Sequence, residues 1–223
     1  MTRADRDLAL FHVLFGLGAV AGVLAPVGVL GWRILALVVL YNVALPLTVG
    51  RRHREVLALW AFLVPLSAFQ VLPDAFLADV LGVLVFPDTG GPRLGPVPLA
   101  LAGMWTIPLL LIVWTAGRIT RRRVSGAWAS AGLAAVAFGI AEATLWAIPI
   151  WEARGVAQIG RVAVYVVPAE ALLGAATFLA FQRTREAGRV AKMGAAAMVA
   201  VLYLGALGTS FYLIERVFGG AGI

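Results

Sequence analysis

Apolar residues fill seven long stretches of the chain, and the polar residues gather in short clusters between them. Each stretch approaches the roughly 20 residues that carry a helix across a bilayer. The pattern predicts helices over 8–30, 32–49, 56–72, 97–116, 127–150, 162–181 and 195–214. The stretch 73–87 has prolines at both ends and is too short to cross comfortably, so it reads as a re-entrant or interfacial helix between helices 3 and 4. The Gly- and Pro-punctuated segment that follows, 88–96, reads as a structured turn. The predicted fold is an all-α integral membrane protein. It is a seven-transmembrane-helix bundle in a single domain over 1–223.

Composition sharpens this picture. Only 13% of residues are charged, against about 25% in soluble domains. The formal charge of +7 invites a nucleic-acid reading, but the basic residues sit in short loops, where they report membrane topology instead. With the N-terminus in the cytoplasm, Arg3, Arg6, Arg51, Arg52, Arg54, Arg118, Arg121, Arg122, Arg123, Arg183, Arg185, Arg189 and Lys192 all lie inside. That is thirteen of the 18 basic residues. An eighth span at 73–87 would send later basic loops to the opposite side. The expected topology is therefore N-terminus cytoplasmic and C-terminus outside. Abundant Arg, Ala and Gly with one lysine suggest a GC-rich bacterial genome, and hence a bacterial inner membrane. The run 8–30 exceeds the roughly 7–15 apolar residues of a signal peptide and reads as a retained helix. Cysteine is absent, which excludes disulfides and thiolate chemistry. His12 and His53 lack metal-ligand spacing. No metal or cofactor is expected.

Candidate chemistry centres on Glu142 and Glu170, two carboxyls inside long apolar runs. An intramembrane acid is costly and by default marks a functional site. Prolines lie beside both, at Pro149 and Pro168. On the predicted boundaries each acid is eight residues from the outer helix end, about 12 Å deep. Trp105 reaches a similar depth, and Tyr41 and Asn42 lie slightly deeper. Gln70, Asp74 and Asp88 fall toward the same rim, as do Trp146 and Tyr165 on the acid-bearing helices. This one-sided layer predicts a cavity in the outer half of the bundle. Glu142 and Glu170 are its candidate catalytic groups. Tyr41, Asn42, Gln70, Asp74, Asp88, Trp105, Trp146 and Tyr165 are its candidate substrate-binding groups. Two carboxyls at close range would not both ionise, leaving an acid beside a possible base. Aromatic rings could stabilise a cation, and the apolar remainder suits a long hydrocarbon. That combination fits protonation of an alkene and carbocation rearrangement. The Asp-Asp-x-x-Asp pattern of diphosphate-ionising enzymes is absent. A plainer reading also fits: Glu142 and Glu170 as interhelical hydrogen-bonding groups, and Asn42 as helix glue.

A short, seven-helix membrane chain with Pro-x-Glu and Trp motifs resembles the membrane isoprenoid cyclase and hydratase superfamily. The superfamily includes small lycopene-cyclase-type proteins, carotenoid hydratases and membrane terpene cyclases. Val167-Pro168-Ala169-Glu170 resembles the Pro-x-Glu-Glu motif of the lycopene cyclase type, with Ala171 in place of the second acid. The segment from Asp88 to Trp105 loosely resembles a carotenoid hydratase segment. The resemblance implies a lipophilic isoprenoid substrate held among membrane lipid. It also implies alkene or epoxide protonation by paired acids, a role that falls by position on Glu142 and Glu170.

Two other classes stay open. Intramembrane acids and proline-broken helices also serve proton-coupled transporters, although the inner half lacks a matching polar path. A sensor or membrane partner protein is the third class. Its retinal-binding version is disfavoured, because the single lysine, Lys192, lies at the inner start of helix 7 rather than deep in the bundle.

Overall fold

Helix formation begins earlier than the apolar pattern implies. Thr2 Oγ1 accepts the Asp5 amide at 3.2 Å, and Asp5 Oδ2 accepts the Thr2 amide at 2.7 Å. This reciprocal cap satisfies donors that a helix start leaves unpaired. The computed structural model describes residues 1–26, 28–120, 122–144, 148 and 150–219. They contain seven long helices: α1 Arg3–Leu24, α2 Leu30–Gly50, α3 Arg54–Val80, α4 Leu101–Ile119, α5 Arg123–Thr144, α6 Val166–Thr184 and α7 Arg189–Phe218. Six of them are long and apolar enough to cross a membrane. The exception is α6, a helix of 19 residues that carries Glu170 and Arg183.

The segment 73–87 is not a separate helix. Its first part, through Val80, continues α3 past a turn at Gln70. Its second part is extended and forms strand β1, Leu84–Val85. Pro73 does not stop the helix, because the Gln70 amide turns back onto the Leu66 and Ser67 carbonyls and local tightening absorbs the break.

Three other predicted helices are shorter at one end than their apolar runs. Residues assigned to helices 4 and 6 form strands instead: β3 Val97–Pro98 pairs with β2 Arg93–Leu94, and β6 Val162–Ala163 pairs with β5 Gln158–Ile159. Gly160, with φ at +65°, occupies the tight turn between β5 and β6. Helix α5 ends at Thr144 rather than at 150, and β4, Glu152–Ala153, follows. Strand β4 pairs antiparallel with β1, Leu84 opposite Ala153 and Val85 opposite Glu152. Turn glycines and β-branched residues explain why apolar runs of helical length finish as strands. The three small sheets and their loops lie at one end of the bundle, here called the hairpin end.

Most of the core lies between α3, α4, α5, α6 and α7, and Leu8 of α1 with Tyr41, Leu45 and Val49 of α2 extends it. Helices α5 and α6 approach closely at Gly174: a Cβ there would stand 2.5 Å from the Ser130 carbonyl oxygen and 2.6 Å from Ala134 Cβ. Ser130 Oγ donates to the Gly174 carbonyl at 2.8 Å across the same contact. Small residues let two backbones meet where large ones would hold them apart. Helix α1 is peripheral and mostly exposed along its length. Arg33 ties its end to α2 by donating to the carbonyls of Gly22, Val23 and Ala25, which α1 leaves unpaired.

The opposite end carries ionic clasps. Arg118 pairs with Asp5 at 2.8 Å and Glu55 at 2.9 Å, and its guanidinium lies 4.3 Å from the Trp114 ring centroid. Trp114 Nε1 also donates to Asp5, and His53 pairs with Asp7 at 3.0 Å.

Candidate active site

A cavity of about 320 Å³ opens beneath the hairpin end. Helix α3 contributes Asp74 and Leu77, and α4 contributes Leu101, Met104, Trp105, Ile107 and Pro108. From α5 come Ala137, Phe138, Ala141 and Glu142; from α6, Val166 and Glu170; from α7, Tyr203. Tyr165, immediately before α6, also lines it. The roof is made by Leu84, Phe86, Trp151, Ala153 and Ala163 of the strands and their loops. Most of this wall is hydrocarbon, and among the described residues Asp74, Glu142 and Glu170 are its carboxyl groups.

The shortened helices change the depth of those acids. Glu170 sits in the second turn of α6, and Glu142 two residues from the end of α5. Each therefore lies closer to its helix end than the apolar runs imply. They stay buried because the strands fold over them: Glu142 and Glu170 are 9% and 5% exposed, and Asp74 6%. Pro168 falls in the first turn of α6, where its missing N–H breaks no intrahelical bond. It starts that helix rather than interrupting it.

Each acid has a different setting. Glu142 Oε2 accepts the Ala163 amide of β6 at 3.1 Å. Asp74 Oδ2 accepts Trp105 Nε1 at 3.4 Å. Glu170 Oε2 has no hydrogen-bond partner among the described residues. Among the described residues no three acidic or histidine side chains could hold one metal ion. The three carboxyls stand on three different helices, α3, α5 and α6, around the same cavity. Trp105 is the aromatic hub, 5.2 Å from Phe138 and 5.9 Å from Tyr203 between ring centroids.

Five of the candidates thus share the cavity: Glu142, Glu170, Asp74, Trp105 and Tyr165. Four others do not line it. Tyr41 is fully buried between α1 and α2, where it bonds His12 Nε2 at 2.9 Å and packs against Phe11 and Phe15. Asn42 bridges helices, donating to the Val38 and Gly103 carbonyls and accepting Trp60 Nε1. Both share the predicted depth but point to another interface, which hydropathy does not encode. Asp88 is exposed and accepts the Gly90 amide in a local turn. Gln70 is fully buried, but it is not part of the cavity wall. Trp146, with Pro149, lies outside the described residues.

Tyr203, Phe138 and Trp151 line the site but were not among the candidates. The signal for Tyr203 was a lone hydroxyl in the middle of α7. Its partners on the buried stripe, Val199 and Leu207, lie four residues to either side.

A family model described as "Domain of unknown function (DUF6989)" matches residues 71–214, well over half of the chain. The chain belongs to this family. The matched region spans every residue that lines the cavity, from Asp74 to Tyr203, and leaves α1 and α2 outside it. Neither a curated protein nor a solved structure matches the chain.

Proposed function

We propose that this chain is a membrane-embedded, metal-independent isoprenoid cyclase that protonates an alkene or epoxide with a carboxyl group. The observation that carries the reading is the meeting of Asp74, Glu142 and Glu170 with the Trp105–Phe138–Tyr203 cluster in one otherwise apolar cavity. Three carboxyls around one such cavity cannot all carry charge together. A protonated member supplies an acid, and an ionised member supplies a base.

In the proposed reaction a carboxyl O–H gives its proton to one alkene carbon, using the π pair to form the new C–H bond. A second alkene attacks the resulting cation and closes a ring. A carboxylate then takes a proton from a neighbouring carbon, and that C–H pair restores a double bond. No atom is gained or lost. The π faces of Trp105, Phe138 and Tyr203 suit the cationic stages, where a desolvated contact of this kind is worth about 2 kcal/mol. Capture of the cation by water in place of proton loss makes the same site a hydratase.

The bundle is read as seven spans in a bacterial inner membrane, with α6 the seventh and its Glu170 shielded by neighbours. The arginine-rich end faces the cytoplasm and the hairpin end faces outward, as the basic loops favour.

The test is mass spectrometry of lipid extracts from a host that accumulates isoprenoids, with and without the protein. A new isomer of unchanged mass means cyclisation, and a gain of one water means hydration. Glu142→Gln and Glu170→Gln are expected to insert normally and form no product. Full activity in both variants overturns the assignment. An unchanged extract across short and long isoprenoids moves the weight to a proton-coupled carrier or a partner protein.

A further inference from the structure

Beneath the acid cavity lies a second group of polar side chains with a shared anomaly. Ser67 and Gln70 precede Asp74 on α3 at helical spacing, so all three occupy one face. Ser67 Oγ and both polar atoms of the Gln70 amide are fully buried without hydrogen-bond partners among the described residues. On α4, Thr106 is fully buried and its hydroxyl is likewise unpartnered. So is Thr177 on α6, two turns beyond Glu170 on the buried face.

These hydroxyls differ from four other threonines in or at the ends of helices. Thr48, Thr120, Thr144 and Thr184 each bond back to a carbonyl four residues earlier, at 2.7 to 2.9 Å. That is the ordinary way for a hydroxyl to satisfy itself in an apolar setting. Ser67, Thr106 and Thr177 do not do so, although they are more deeply buried. A Gln amide with both ends unpaired in hydrocarbon is more costly still.

The helix register places Gln70 and Thr106 on the same side of the Asp74–Trp105 contact, toward the arginine end. Helices α3 and α4 run antiparallel, joined by Asp74–Trp105 near the hairpin end and by Glu55–Arg118 at the arginine end. Gln70 lies one turn from Asp74, about 6 Å along the axis. Thr106 follows Trp105 directly, and both side chains sit on the buried faces of their helices.

We propose that Ser67, Gln70 and Thr106 form a water-binding niche under the cavity, whose ordered water exchanges protons with Asp74. The ligand is water, because the unpartnered groups are uncharged and offer both donors and acceptors. An amide that can both donate and accept links successive waters, and the next polar group along the α3 face is the Asp74 carboxyl. Resting on the cyclase–hydratase reading, the same water is the store from which a hydratase draws its nucleophile.

The experiment is synchrotron hydroxyl-radical labelling of the full chain in lipid nanodiscs, read by peptide mass spectrometry. Radicals born from bound water oxidise the side chains beside it. Leu66 and Leu109 flank the niche in sequence and are fully buried, as is Leu45, which serves as a dry control. Labelling of Leu66 and Leu109 several-fold above Leu45 is expected. It should fall to the Leu45 level in a Ser67→Ala, Gln70→Met, Thr106→Val variant. Labelling of the wild-type leucines no greater than Leu45 overturns the proposal, whether or not the variant folds. If the niche is dry, the apolar variant also melts at a higher temperature, because unpaired polar atoms have been removed. The readout needs no substrate, so failure here is distinct from failure to find a cyclase product.

Discussion

Trp105 Nε1 donates to Asp74 Oδ2 at 3.4 Å, joining α4 to α3 at the wall of the cavity. The same indole ring contacts Phe138 of α5 and Tyr203 of α7. One side chain therefore fixes an acid through its N–H and builds the aromatic wall with its ring. The two roles separate by mutation. Trp105→Phe keeps an aromatic ring and removes the donor, which is expected to cost about tenfold in product formation, the worth of one hydrogen bond to a charged group. Trp105→Ala removes both and is expected to cost at least a further tenfold, in line with a desolvated cation–π contact. Equal rates for the two variants in lipid extracts contradict the division.

Gly174 sets the separation of the two helices that carry Glu142 and Glu170. Gly174→Ala puts a methyl group 2.5 Å from the Ser130 carbonyl oxygen, so α5 and α6 must part. The expected loss is about 1–3 kcal/mol, the usual range for overpacking, seen as a lower melting temperature in detergent. Gly132→Ala on α5, where an added Cβ meets nothing within 4 Å, is the matched control and is expected to be neutral.

Tyr41 and Asn42 stand apart from the cavity, so their substitutions should act on stability alone. Tyr41→Phe leaves the His12 ring nitrogen without its 2.9 Å partner. Asn42→Leu leaves Trp60 Nε1 and the Gly103 carbonyl unpaired. Each is expected to lower stability by about 1–2 kcal/mol, as for a broken buried hydrogen bond, with product per folded molecule unchanged. A loss of specific activity with unchanged melting would place either residue in the site.

The proposed orientation is open to direct labelling, because the chain has no cysteine. Gln158→Cys at the hairpin end and Ser125→Cys at the arginine end are both exposed positions. A membrane-impermeant maleimide should label position 158 in intact cells and position 125 only after permeabilisation. The reverse pattern inverts the topology and places the hairpin end in the cytoplasm.

The order of the helices, the clustering of arginine between them and the acid-bearing layer near one end are all legible in residue order, because hydropathy and charge are properties of each side chain alone. Glu142, Glu170, Asp74, Trp105 and Tyr165 could be named from burial cost and depth. Three things could not be read that way. An apolar run looks the same whether it ends as helix or strand, so the β1–β4 pairing that roofs the cavity stayed hidden. An apolar residue facing lipid looks like one facing protein, so depth grouped Tyr41 and Asn42 with the acids although they turn toward α1 and α4. Tyr203, a hydroxyl flanked by apolar residues in the middle of α7, became part of the site only through the packing of α7 against α3 and α6. Hydropathy tells how far a residue lies from water; the direction in which its side chain points is decided by helix rotation and contact, which exist only once the bundle is assembled.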